Sequence, residues 1–120
     1  MKPVTMIAVI FEVYPDPNHQ QEYLELAAEL RPLLQDIDGF ISIERFSSLN
    51  EEGKLLSLSF WRDEEAVKQW RNIEQHRLAQ IKGRGDIFKN YRLRVAEVTR
   101  DYGKNERDQA PIDSQVAHQS

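Results

Sequence analysis

The stretch "VTMIAVIFEV", residues 4 to 13, is apolar or β-branched at nearly every position, and no other feature limits the fold so much. Side chains of a strand alternate between two faces, so a strand covered on one face reads apolar, polar, apolar. Here Met6, Ala8 and Ile10 on one face are as apolar as Ile7, Val9 and Phe11 on the other. Such a strand belongs in the middle of a sheet whose two faces are both covered. Glu12 closes the apolar run and no small-residue cleavage site comes after it, so the run reads as a strand rather than a secretory signal.

The next segment supplies one cover. After "YPDPN", Asp16 is placed to cap a helix with Pro17 at its first position, and Tyr23, Leu24, Ala27, Leu30 and Leu34 recur at helical spacing to about residue 36. Pro32 is expected to kink that helix or end its first part. "DIDGF" closes it. "FISIERFSSL", the turn "NEEG" and "KLLSLSFW" form a hairpin, then Asp63 caps a second helix with Ala66, Val67, Trp70 and Ile73 inward, continuing to Ile81. "KGRGD" breaks it, and "NYRLRVAEVTRD", about 90 to 101, is the last strand.

The order β-α-β-β-α-β predicts an α+β, ferredoxin-like domain over residues 1–102: a four-stranded antiparallel sheet with both helices on one face. Charges on the second and last strands (Glu44, Arg45, Arg92, Arg94, Glu97, Arg100) mark these as edges. Both helices serve the same face, so the other face of the apolar strand is expected to be covered by a second copy, giving a homodimer. Residues 103–120 hold too few apolar side chains to pack and read as a polar, flexible tail.

Composition excludes several function classes. A net charge of −4 gives no general attraction for nucleic acid or anionic lipid, and no run reaches the roughly 20 apolar residues that cross a bilayer, so the expected location is the cytoplasm. The absence of cysteine removes disulfides, thiolate metal sites and cysteine nucleophiles. His19, His76 and His118 are too scattered for a local metal motif. "GRG" at 83 to 85 lacks the strand and spacing of a phosphate loop, Glu64 and Glu65 belong to a helix first turn, and the serines lack a nucleophile elbow.

Candidate chemistry concentrates in "FWRDEEAVKQWRNIEQHRLAQ". Trp70 shares the inner stripe with Val67 and Ile73, whereas His76, six positions later, is rotated roughly 120° from it. Trp70 reads either as plain core or as a wall of an apolar pocket, and His76 as a surface group or a pocket group that binds or deprotonates a ligand. Trp61, ending its strand beside the cap Asp63, reads as scaffold whose indole needs an acceptor.

"MIAVIFEVYPDPNHQQEYLELAAEL", "IDGFISIERFSS" and above all "KLLSLSFWRDEEAVKQWRNIEQHR" together resemble the antibiotic biosynthesis monooxygenase domain, a dimeric α/β barrel of ferredoxin-like subunits, from residue 5 to about 102. The resemblance implies oxidation of a small aromatic substrate, a phenol or quinol, by O2 with no metal or flavin cofactor. It implies His76 as the catalytic group that ionises or orients the substrate, with Trp70, Phe60, Phe88 and Tyr91 as substrate-binding walls. One branch of the same superfamily degrades haem, pairing an Asn on the first strand with a His ten residues after the helix Trp; here those positions hold Val9 and Gln80, which counts against haem degradation and leaves His76 as the alternative, displaced ligand. A non-catalytic ligand-binding dimer is the third reading the family allows.

Overall fold

A computed structural model describes residues 6–80 and 88–114 of the chain. The expected strand start at Val4, the helix end at Ile81, the glycine break at 83 to 85, and residues 115–120 with His118 lie outside the described residues.

The elements run β1 (Met6–Pro15), α1 (Gln20–Gln35), β2 (Phe40–Ser47), β3 (Leu55–Trp61), α2 (Glu64–Gln80) and β4 (Phe88–Val98). They form one antiparallel sheet in the order β2-β3-β1-β4. This is the ferredoxin-like α+β architecture, with the apolar β1 and β3 central and the charged β2 and β4 at the edges, as the charge pattern predicts. β4 starts two residues before the expected Asn90 and stops at Val98.

Local chemistry explains the boundaries. Asp16 caps a short 3₁₀ turn, Pro17–His19, by accepting a 2.9 Å hydrogen bond from Asn18 N, and α1 starts only after it. Pro32 does not end α1: it lies in the last turn, where few ladder bonds remain to be lost, and the helix continues to Gln35. Asp63 accepts from Ala66 N at 3.0 Å, the expected cap of α2. Gly39, between α1 and β2, has φ +98°, and a Cβ there would meet Ala66 Cβ at 2.9 Å, so neither its backbone nor its space suits another residue. Arg62 fastens this junction, donating to both oxygens of Asp38 at 3.1 Å while its backbone N donates to Gly39 O.

The register sends Ile7, Val9, Phe11 and Val13 of β1 to the face that Ser57, Ser59 and Trp61 share. Both helices pack there. One cluster joins Ile7, Val9 and Trp61 to Leu34 and Ile37 and to Ala66 and Val67; a second joins Val13 to Tyr23, Leu26 and Leu30. Trp70 packs against both. The opposite face carries Ala8, Ile10, Leu56, Leu58 and Phe60, and at one end Glu12 pairs with Lys54 at 3.1 Å and with Arg94. Beyond β4 the chain turns on Arg107, which donates to the carbonyls of Gly103 and Ser114 and lies over the Tyr102 ring. No helix among the described residues is long and apolar enough to cross a membrane.

Candidate active site

A cleft opens where the two core clusters meet, and its floor has a cause in β3. Along "LLSLSFW" the positions that face the helices are Ser57, Ser59 and Trp61. Two small side chains at the centre of a sheet leave space that Val or Leu would fill. Ser57 and Ser59 are both buried, and Ser59 Oγ accepts the 2.9 Å hydrogen bond of Trp61 Nε1, supplying the acceptor that the buried indole requires. Trp61 itself is fully buried, stacked on Trp70 and edge-on to Phe40. It is scaffold, and it holds Trp70 at the cavity.

The cavity volume is about 70 Å³, and with the open solvent at its mouth counted the space reaches about 610 Å³. A ring-sized ligand therefore has to use the cleft as well as the enclosed part, since benzene fills a cavity of about 150 Å³. Val9 and Phe11 of β1, Leu26 and Leu30 of α1, Trp70 of α2, Phe88 and Leu93 of β4 make most of the lining apolar.

Against this lining, besides the two serines, stand three titratable groups from three elements: Tyr23 of α1, Arg45 of β2 and Glu74 of α2. Glu74 is one helical turn beyond Trp70, so both side chains face the sheet. Burial raises the Glu74 carboxyl above its ordinary value, and the Arg45 charge opposes that rise. Burial likewise raises the Tyr23 phenol, with Arg45 again lowering it and Glu74 adding to the rise. Arg45 Nε is buried without a hydrogen-bond partner.

Of the residues predicted from sequence, Trp70 and Phe88 line the cleft. The Phe88 ring meets Tyr23 at 5.5 Å and Phe11 at 5.8 Å. Tyr91 touches the same aromatic group, 5.7 Å from Phe11 and 6.0 Å from Phe88, but is 59% exposed and stands outside the lining. Phe60 points to the other face of the sheet, opposite Ala8 and Ser42. His76 is exposed and is not part of the lining. The structure therefore does not bring His76 and Phe60 to the cavity. Sequence reasoning passed over Tyr23, Arg45 and Glu74; the usable signals were the i, i+4 spacing of Trp70 and Glu74 and the paired serines of β3.

No group of three or more His, Cys, Asp or Glu that could hold a metal occurs among the described residues. For haem, the described residues of the lining offer no imidazole, thiolate or thioether, only the oxygens of tyrosine, serine and glutamate. The described donor set supplies none of the usual axial ligands of haem iron.

Comparison with known proteins gives a consistent picture. The family model described as antibiotic biosynthesis monooxygenase matches residues 6–82. A protein of Pyricularia oryzae named jasmonate monooxygenase ABM is 48% identical over 101 residues, covering 84% of this chain and 47% of that protein. The chain thus spans about half the length of that relative. Among solved structures, PA3566 of Pseudomonas aeruginosa superposes with a TM-score of 0.65 at 17% identity, over 80% of this chain and 96% of that one. The haem degrader MhuD of Mycobacterium tuberculosis, with two haems in its active site, superposes with a TM-score of 0.60 at 18% identity, over 81% and 99%. At such identities these likenesses speak for the fold alone.

Proposed function

Because this chain belongs to the antibiotic biosynthesis monooxygenase family, we propose that the cleft beneath Trp70 is a monooxygenase site for a small, largely apolar substrate of phenol or quinol type. The observation that carries this reading is a half-buried carboxyl, Glu74, facing an apolar cleft at whose edge Arg45 restrains its rise in pKa. In its ionised form Glu74 accepts the proton of the substrate hydroxyl, its raised pKa making it a stronger base than an ordinary carboxylate. The role that the resemblance assigned to His76 passes to Glu74, since His76 lies on the solvent side of α2. The substrate anion, rich in electrons and shielded from water by the aromatic walls, transfers electrons to O2. The reaction balances without an external reductant: a phenol and O2 give a quinone and water, one oxygen atom entering the ring and the other leaving as water.

The reading is tested by oxygen uptake with a panel of phenols, quinols and jasmonate, with ¹⁸O₂ to trace one atom into product. Glu74→Gln is expected to lower kcat about 10²–10⁴-fold while His76→Ala stays near wild type. The reverse order would return the role to His76. No uptake with any substrate would leave the domain a binding module. Haem has less behind it, and a titration without a Soret band would remove it.

The assembly that goes with this site is a homodimer joined through the sheet face opposite the helices. Ala8, Ile10, Leu58 and Phe60 would form its apolar centre, and Glu12, Lys54 and Arg94 its charged rim.

A further inference from the structure

Arg45 is the one basic side chain in the described lining of the cleft. Its Nε is buried with no hydrogen-bond partner, and Arg45 takes part in no ion pair among the described residues. Of its polar neighbours, the Tyr23 phenol interacts with the guanidinium by a side-chain hydrogen bond and Glu74 acts on it through charge, yet neither meets Nε. A guanidinium left in this condition carries the desolvation cost of an unmade, charge-assisted bond. A ligand acceptor in the cleft would complete it.

We infer that the ligand of this cleft is an amphipathic monoanion, a ring-sized apolar body lying against Trp70 with a carboxylate seated on Arg45. The planar fork of arginine matches the two oxygens of a carboxylate, which is ionised before it arrives. Ser57 stands directly across from Arg45 in the β2–β3 register and offers a hydroxyl on the same floor. A phosphate is the poorer match, because its second charge meets no further cation among the described lining residues and would face Glu74. The inference rests on reading the cleft as a substrate site, yet its test measures binding rather than turnover.

The probes are 3-(4-hydroxyphenyl)propanoate and the alcohol of the same skeleton, 3-(4-hydroxyphenyl)propan-1-ol, titrated into the full chain by calorimetry and tryptophan fluorescence. The acid is expected to bind at least about tenfold tighter than the alcohol, and Arg45→Gln to weaken the acid about tenfold while leaving the alcohol within about twofold. Arg45→Lys, which keeps the charge without the fork, is expected to fall between. Equal binding of acid and alcohol to the wild-type protein, a preference that survives Arg45→Gln, or no binding of either at millimolar concentration would each overturn the inference. The wild-type comparison stands even if Arg45→Gln fails to fold. Acid preference without oxygen uptake would sink the monooxygenase reading alone; uptake on uncharged phenols without acid preference would sink this one alone.

Discussion

Glu74 and His76 are two residues apart on α2, and a rotation of roughly 200° separates a side chain in the cleft from one in solvent. In the sequence the histidine attracts attention because its ordinary pKa lies near neutrality, while a glutamate in "NIEQHR" reads as one more surface charge. Only burial makes Glu74 unusual, and burial depends on where β2 and α1 sit. Its consequence for stability can be signed. The folded carboxyl lies above its ordinary value of 4.5, so the stability of its protonated form is fully present below that value and is lost as pH rises through the folded value. Glutamine does not titrate. Glu74→Gln should therefore gain stability relative to wild type between acid and mildly alkaline pH, read as a melting-temperature difference larger at pH 8 than at pH 4. Asp38, Asp63, Glu12 and Glu51, which hydrogen bonds hold below the ordinary carboxylate range, are retained in both proteins, so acid loosening cancels in the difference. A difference that shrinks with pH would contradict the half-buried carboxyl.

At the scale of elements, periodicity makes strands and helices legible because it reports which faces are buried. It located α1 and α2 and told the central strands from the edges. It did not report the cavity, since a missing side chain leaves no apolar signal: Ser57 and Ser59 look like ordinary polar positions until the register turns them inward. If their smallness makes the cleft, Ser57→Val should fill the floor, weaken ligand binding about tenfold and leave the melting temperature unchanged or higher. Unchanged affinity would mean the floor lies elsewhere. The α1–β2 junction offers a converse test. Gly39→Ala forces a Cβ into left-handed backbone and against Ala66, and should cost at least about 1–2 kcal/mol, seen as a lower midpoint in urea with the slope unchanged. The "DIDG" turn signal announced a stop there, but its contact with the first turn of α2 is tertiary and was not readable.

The whole molecule turns on the apolarity of β1 on both faces. The helices account for Ile7, Val9 and Val13, all buried. They do not account for Ile10, Leu58 and Phe60, which remain half-buried on the other side. Covering that face with a second copy would leave the charged network of Glu12, Lys54 and Arg94 at the edge, where partial hydration costs little. Leu58 pairs with Ile10 on one side and Glu44 on the other, near the middle of the proposed interface. Leu58→Glu would place an unpaired carboxylate there when two copies meet, but would leave it hydrated in a single chain. Sedimentation should accordingly find the wild-type protein dimeric at micromolar concentration and Leu58→Glu monomeric, with the far-ultraviolet circular dichroism of the two alike. Because the cleft lies on the helix side of the sheet, the monomeric variant should still bind the phenolic acid within about threefold of wild type. A wild-type monomer would remove the dimer, whereas a folded monomeric variant that no longer binds would show that the partner completes the site.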